Sequence, residues 1–180
     1  MSTLRVPVNP RDHRRGGSNA RVALVEYGDY QCPYCAAAQP VVRSLEDRYG
    51  AALSVVFRHF PLVEVHPFAA TAAEAAEYAG DHGLFWEMHD LVFANQHRLS
   101  VQLLFAIAGT LRLSQIGLRD SITRTLHAEK IQSDFIGGVR SGVNGTPSFF
   151  VNGRRHEGAF TVPELAASIQ AAMDVLAPVR

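Results

Sequence analysis

Residues 21–62 constrain the fold most, because they change from the pattern of a strand to that of a helix and back. The first segment, RVALVEYGD (21–29), is apolar and rich in β-branched residues, which predicts a buried strand. The next, YCAAAQPVVRSLEDRYG (34–50), begins after a proline and ends on a glycine, which predicts a helix kinked at Pro40. The third, ALSVVFRHFPL (52–62), predicts a second strand. A strand–helix–strand unit places its two strands side by side and parallel, so we expect an α/β fold.

The remainder of the chain predicts a long helical stretch followed by a hairpin and a final helix. Residues 66–140 are alanine-rich and carry helical apolar stripes, and Ser100 is placed to cap one of these helices. The Asn152-Gly153 pair between Phe149–Val151 and Arg154–His156 is a strong hairpin signal. Residues 161–176 predict a last helix, with Thr161 as its cap. We therefore expect a βαβ…ββα core with a helical insertion between its halves.

The predicted organisation has three segments. Residues 1–65 form an N-terminal arm and the first half of the core, residues 66–140 the helical insertion, and residues 141–180 the second half of the core. A chain of 180 residues is long enough to form one stable hydrophobic core without disulfide bonds or structural metal ions.

The charge distribution argues against a nucleic-acid or membrane partner. The chain carries 17 basic and 17 acidic residues, for a formal net charge of zero. Its basic residues are scattered among acids, apart from the cluster RDHRRGG (11–17), which we interpret as a solvated arm. The sequence contains no run of 18 apolar residues, so no transmembrane helix is predicted.

The N-terminus lacks the apolar stretch of a secretory signal, so a cytoplasmic location is expected. An exported protein whose signal had been replaced by a start Met would have the same sequence, and its location would then be periplasmic or extracytoplasmic.

The two cysteines, Cys32 and Cys35, lie where the first predicted strand gives way to the helix. Free N–H groups and the helix dipole stabilise negative charge at a helix start, so a thiol there is acidified. In such motifs the thiolate pKa falls to roughly 3.5–7.5, against about 8.5 for a free cysteine. The spacing predicts that Cys32 is exposed and reactive, and that Cys35 is covered by the core.

Two structural alternatives apply to this pair. A zinc site needs four ligands and a single CxxC supplies two, with no histidine pair at finger-like spacing. Two inert buried thiols are the default for a CxxC in the middle of a helix, but this pair lies at a helix start with a proline inside it. His59, His66 and His89 are interpreted as structural histidines. A redox-active pair is the favoured interpretation.

Several motifs, in order and on both sides of the predicted insertion, resemble the DsbA-type thioredoxin-fold proteins of bacteria. They are EYGDYQCPYC, FRHFPL, FWEMHDLVFANQ and SGVNGTPSFFVNG. The resemblance spans roughly residues 12–177 and implies a thioredoxin-like core with an inserted helical domain. It also implies that Cys32 is the nucleophile and Cys35 the resolving cysteine.

The resemblance assigns further residues around the cysteines. Thr146-Pro147 matches a cis-proline pair whose loop faces the disulfide, and Glu26 matches a buried acid beneath the active site. A carboxylate in a buried strand has a raised pKa and can relay the proton of Cys35. The predicted substrate-contacting residues are Pro33, Tyr34, Gly145 and Thr146. Tyr34 departs from the histidine that better-known oxidants of the family often carry at this position.

These features together predict a thiol–disulfide oxidoreductase that exchanges disulfides with protein or peptide substrates and with a further redox partner. The Cys32–Cys35 dithiol is its own redox carrier, so no metal or organic cofactor is expected. Two alternatives stay open. One is an enzyme like the kappa-type glutathione transferases, which use a serine in place of the cysteine pair. The other is a binding module that is not an enzyme and whose disulfide switches an interface.

Overall fold

The computed structural model describes residues 2–17 and 19–175. Within these ranges, five strands form one mixed sheet in the order β1-β3-β2-β4-β5. The strands are β1 (His13–Gly16), β2 (Val22–Gly28), β3 (Leu53–His59), β4 (Ser148–Val151) and β5 (Arg154–Arg155). The helices are α1 (Pro33–Tyr49), α2 (Ala69–Gly80), α3 (Phe85–Ala94), α4 (Val101–Thr110), α5 (Gln115–Arg124), α6 (Ala128–Arg140) and α7 (Val162–Val175).

The predicted strand–helix–strand unit is confirmed. β2 and β3 pair in parallel along their whole length, and α1 connects them. Pro33 stands in the first turn of α1, Pro40 lies inside the helix and Gly50 is its C-cap. Pro33 and Gly50 therefore mark the two ends of the helix that carries Cys35.

The N-terminal cluster is not a solvated arm, and this prediction was wrong. His13–Gly16 forms β1, which pairs antiparallel with β3 at the edge of the sheet. The Arg15 guanidinium is only partly exposed and forms ion pairs with Glu46 and Asp90. Because pairing with β3 and these distant acids hold the segment, its basic composition does not keep it in solvent.

The second half of the core follows the prediction. β4 pairs antiparallel with β2 and continues through Asn152-Gly153 into β5. Both turn residues have positive φ, 45° and 80°, as a two-residue hairpin turn requires. Pro163 lies in the first turn of α7.

Helices cover both faces of the sheet. Leu24 on β2 and Phe149 on β4 pack with α1 and α7 on one face, whereas Val25 and Phe150 belong to the core of the other face. Side chains alternate along a strand, so Glu26 points to the same face as Leu24, beneath α1. This alternation places a carboxyl group behind the cysteine pair.

The helices α2 to α6 lie between β3 and β4 in the chain, as expected for a helical insertion in a thioredoxin-like core. The buried alanines of α2 form the predicted stripe, and the Ser100 side chain caps α4. The exact bounds of the three predicted segments stay predictions. In the described part of the chain, no helix combines the length and apolar character needed to cross a membrane.

Candidate active site

Cys32 is the N-cap residue of α1, with Pro33 as the first residue of the helix. Its backbone is extended, with φ −72° and ψ 120°, and no side chain caps the helix. The backbone N–H groups of Tyr34 and Cys35 act on the Cys32 sulfur and stabilise its thiolate. The first turn of α1 therefore supplies the positive end of a helix to this thiol.

Cys32 is less accessible than the sequence predicts. Only 4% of the residue is exposed, and Cys35 is fully buried. The expectation of an exposed Cys32 was wrong because a loop from the second half of the core covers it. The Cys32 sulfur lies 3.3 Å from the carbonyl oxygen of Thr146 in that loop.

The two thiols have opposite acidities. The pKa of Cys32 falls to about 5, chiefly because the Cys35 thiol donates a hydrogen bond to its sulfur, with help from Thr146 and the backbone N–H groups. Burial raises the pKa of Cys35 well above its ordinary value, and the nearby Glu26 carboxylate adds to this. At neutral pH the pair therefore holds one thiolate on Cys32 and one thiol on Cys35.

The Cys35 sulfur is also fixed by the strand end that precedes the motif. The backbone N–H of Asp29 donates to it over 3.4 Å. This weak donor stabilises a thiolate on Cys35 when one forms, although burial dominates in the resting pair.

The Thr146-Pro147 peptide bond is cis, as the resemblance implied. The Thr146 hydroxyl is buried, has no hydrogen-bond partner among residues 2–17 and 19–175, and helps to lower the pKa of the nearby Cys32 thiol. Gly145 accepts a hydrogen bond from the Ser148 hydroxyl at its carbonyl oxygen, which closes the loop on itself. The structure thus brings the predicted Gly145, Thr146 and Pro147 loop to the nucleophile.

Glu26 is buried on β2, with 1% of its surface exposed. The Gln39 side-chain amide of α1 donates to its two oxygens over 3.3 and 3.4 Å. Burial raises the pKa of Glu26 to about 8, and Gln39 and the more distant Arg15 moderate the rise. A carboxyl group with this pKa can accept and return a proton near neutral pH.

Two residues that the sequence reasoning did not select, Asp29 and Gln96, hold the cysteine turn in place. The Asp29 carboxylate accepts from the backbone N–H groups of Gln31 and Leu62 and from His66. The Gln96 amide donates to the carbonyl oxygens of Tyr30 and Cys32, over 2.9 and 2.8 Å. Asp29 and Gln96 stand in quoted motifs, but the contacts themselves join distant segments that spacing does not reveal.

The remaining predicted residues lie on the rim of the site. Tyr34 is 64% exposed and Pro33 is exposed beside it, so both are accessible to a substrate. Among the residues that the structure describes, no cluster of three or more histidine, cysteine or acidic side chains is placed to hold a metal ion.

An acidified thiol at a helix start, a second and buried thiol, a buried acid and a facing cis-proline loop define a thioredoxin-fold dithiol protein. The chain matches the family profile described as thioredoxin over residues 8–171. It belongs to the thioredoxin family, and its fold is DsbA-like.

Two solved structures illustrate the similarity. BdbD from Bacillus subtilis, in its oxidised form, superposes with a TM-score of 0.86 at 19% identity, covering 96% of this chain and 98% of that one. DsbA2 from Pseudomonas aeruginosa superposes with a TM-score of 0.73 at 26% identity, covering 95% and 97%.

The curated relatives are of a different kind. A Na⁺/H⁺ antiporter, NhaA 1 of Salinispora arenicola, is 48% identical over 170 residues. The match covers 94% of this chain but only 26% of that protein, so the chain spans about a quarter of this relative's length.

Proposed function

We propose that the protein is a thiol–disulfide oxidoreductase that exchanges disulfides with protein or peptide substrates through Cys32. The observation that carries the proposal is the opposed acidity of the pair, with the pKa of Cys32 near 5 and that of Cys35 well above its ordinary value. Since the thiolate is the nucleophile in disulfide exchange, Cys32 attacks and Cys35 waits as a thiol.

The exchange has two steps that balance in electrons. The Cys32 thiolate attacks a substrate disulfide, forms a mixed disulfide and releases one substrate thiolate. Cys35 then gives its proton to the Glu26 carboxylate and attacks the Cys32 sulfur, which forms the Cys32–Cys35 bond and releases the second substrate thiolate. The substrate gains two electrons and the protein loses two. The reverse sequence oxidises a substrate dithiol.

The loop that carries Thr146 and Pro147 suits a role in substrate binding. It faces the Cys32 sulfur, and Tyr34 and Pro33, which follow Cys32 in the chain, are exposed. An extended peptide with a cysteine can contact this loop and these exposed residues as it approaches Cys32. The two electrons reside on the cysteines themselves, so the proposed reaction uses no metal or organic cofactor. The electron partner and the compartment stay predictions.

The test compares wild type with Cys32→Ser and Cys35→Ser in the reduction of insulin and in the oxidation of a reduced model peptide. We expect Cys32→Ser to abolish both reactions. We expect Cys35→Ser to accumulate a mixed disulfide with the peptide, visible by mass spectrometry, because the resolving thiol is missing. Equal activity of wild type and Cys32→Ser would refute the proposal.

The antiporter relative favours a second function, that of a redox-switched module within or beside a transport protein. In this function the Cys32–Cys35 disulfide changes an interface and does not turn over substrates. The supporting observation is that a segment 48% identical to this chain makes up about a quarter of a protein named as a Na⁺/H⁺ antiporter.

A chimera separates the two functions. The matched segment of the Salinispora antiporter is replaced by this chain, and Na⁺/H⁺ exchange is measured in vesicles at oxidising and reducing potentials. A change that disappears in the Cys32→Ala/Cys35→Ala double variant supports the switch. Exchange that is independent of potential, together with multiple turnovers on insulin, supports the enzyme alone.

A further inference from the structure

A string of four side chains runs from the buried acid to the helical insertion. The side-chain amide nitrogen of Gln39 on α1 donates to both Glu26 oxygens. The side-chain oxygen of Gln39, Oε1, lies 3.1 Å from Nε2 of His89 on α3. Nδ1 of His89 lies 3.1 Å from the Tyr30 hydroxyl. The Glu26, Tyr30 and His89 residues are each 1% exposed, and Gln39 between them is half-buried.

The chemistry of the groups fixes the direction of each hydrogen bond. The Cys35 carbonyl oxygen, 3.2 Å from the Gln39 amide, can only accept, so the amide nitrogen faces it and Oε1 faces His89. Because Oε1 also can only accept, Nε2 of His89 carries the proton. Burial, followed by the nearby Arg15, lowers the pKa of His89 well below its ordinary value, so the ring is neutral and has one proton to place. Nδ1 then accepts from the Tyr30 hydroxyl.

The proton on Nε2 of His89 supports this orientation of the Gln39 amide. With its oxygen held by His89, the Gln39 amide nitrogen faces Glu26 and the carbonyl oxygen of Cys35, which lies 3.2 Å away. A rotated amide would place its oxygen against these acceptors and its nitrogen against the His89 donor. His89 and the Cys35 carbonyl therefore hold the same orientation from opposite sides.

We propose that His89 is a positioning residue of the active site: through Gln39 it keeps an N–H donor on the Glu26 carboxylate, and so keeps Glu26 able to take the proton of Cys35. The proposal rests on the oxidoreductase function for its consequence, because Glu26 accepts that proton in the resolving step. It assigns to the helical insertion a direct part in proton handling, in addition to packing.

Other charges surround these groups and stay in place in every variant. Arg15 from β1 and the two cysteines face Glu26. The charge of Glu26 also acts on Tyr30, where it adds to the rise in the pKa of the hydroxyl. Arg15, His13, His59 and Arg43 face His89. The effect of His89 is therefore read as the difference between matched variants.

The variants are His89→Phe, which removes the donor and keeps a ring, and His89→Gln, which keeps an N–H donor. His82→Phe is the control, because His82 is exposed and its ring contacts only Tyr78 among the contacts described. Gln39→Leu removes the donor to Glu26 directly and serves where His89→Phe does not fold, as judged by circular dichroism.

The first measurement is an NMR titration of the Glu26 side-chain carboxyl, which requires no turnover. We expect a midpoint near pH 8 in wild type and His82→Phe, a higher midpoint in His89→Phe and Gln39→Leu, and a return toward wild type in His89→Gln. Superimposable titrations of wild type, His89→Phe and Gln39→Leu would overturn the proposal.

The second measurement is the single-turnover resolution of a peptide mixed disulfide on Cys32 as a function of pH. A higher Glu26 pKa leaves less carboxylate at pH 7, so we expect His89→Phe to slow resolution there by roughly 3- to 10-fold, with recovery at higher pH. In a Glu26→Gln background the same substitution should leave the pH profile unchanged. An equal slowing in both backgrounds would mean that His89 is only structural.

The two measurements separate failure of this inference from failure of the proposed function. A Glu26 shift without any resolution in wild type keeps the positioning role and refutes the oxidoreductase. Resolution in wild type without a Glu26 shift in His89→Phe keeps the oxidoreductase and refutes the positioning role.

Discussion

The Cys32 sulfur lies 3.3 Å from the Thr146 carbonyl oxygen, although 114 positions separate the two residues along the chain. The contact joins the start of α1, in the first half of the core, to the loop before β4, in the second half. The candidate site is thus assembled only when both halves of the core have formed around the helical insertion.

Thr146→Val tests a second interaction between these two residues, in which the Thr146 side chain lowers the pKa of Cys32. The Thr146 hydroxyl stabilises the Cys32 thiolate, and valine keeps the shape without the donor. We expect the pKa of Cys32 to rise from about 5, with an acid dissociation constant up to roughly tenfold smaller. The pKa of Cys32 is measured from the ultraviolet absorbance of its thiolate during a pH titration. Thr123→Val, at an exposed position on α5, is the control and should change nothing. An unchanged titration in Thr146→Val would contradict the role of the hydroxyl.

The pH dependence of the reduction potential follows from the two thiol pKa values. The reduced pair binds two protons below the Cys32 pKa of about 5 and one proton above it. The potential should therefore fall by about 59 mV per pH unit below pH 5 and by about 30 mV per unit above it. Equilibration with a thiol buffer at each pH gives the slopes. A steep slope up to pH 8 would show that Cys32 is not ionised there.

The same ionisation sets the direction in which the pair prefers to act. A stabilised thiolate stabilises the reduced state, which makes the disulfide a stronger oxidant than one between ordinary thiols. The Cys32 thiolate is less stabilised in Thr146→Val, so the reduction potential of the Cys32–Cys35 pair should be more negative at pH 7 in this variant. The measurement uses the same buffer series, and Thr123→Val again provides the baseline.

Gln96→Leu tests whether the insertion holds the cysteine turn. The Gln96 amide donates to the Tyr30 and Cys32 carbonyl oxygens, and leucine leaves both without this donor. We expect the free energy of unfolding to fall by roughly 1–3 kcal/mol, measured by urea denaturation. Gln102→Leu, on the exposed side of α4, should cost far less. Equal losses in the two variants would show that the two Gln96 hydrogen bonds contribute nothing to the free energy of unfolding.

Sequence reasoning succeeded where local patterns decide the structure. The strand of Val22–Gly28, the helix after Pro33 and the hairpin at Asn152-Gly153 each carry their own period or turn chemistry. The cysteine pair could be found in the same way, because a thiol at a helix start is a local arrangement.

The failures have a common physical cause, which is contact between distant segments. β1 has no strand-like alternation, and its place depends on β3, Glu46 and Asp90. The coverage of Cys32 comes from Thr146. The interpretation of His89 as structural stays a prediction, and its contact with Gln39 likewise exists only once α1 and α3 are packed together.

Asp12→Ala tests how firmly the N-terminal segment is held. The Asp12 carboxylate accepts two hydrogen bonds from the Arg58 guanidinium, each 2.8 Å, and both side chains are almost fully buried. Removing the carboxylate leaves a buried cation, so we expect a loss of about 3–5 kcal/mol in the free energy of unfolding.

Asp120→Ala is the matched control for that experiment. Its partner is Arg124 and both side chains are largely exposed, so the loss should stay below about 1 kcal/mol. Calorimetry or urea denaturation measures both variants. Similar small losses would mean that the segment before β2 is not docked on the core as the Arg58 contacts indicate.

The two outer strands of the sheet have a consequence for how this chain behaves beside other chains. β1 has four residues and β5 has two, and each carries a pair of arginines. Short outer strands offer few free backbone groups to a passing strand, and residues 2–4 already bond to β5 and its turn. The protein can therefore be kept at high concentration, or joined to a larger polypeptide, with little risk that its sheet is extended by a neighbour.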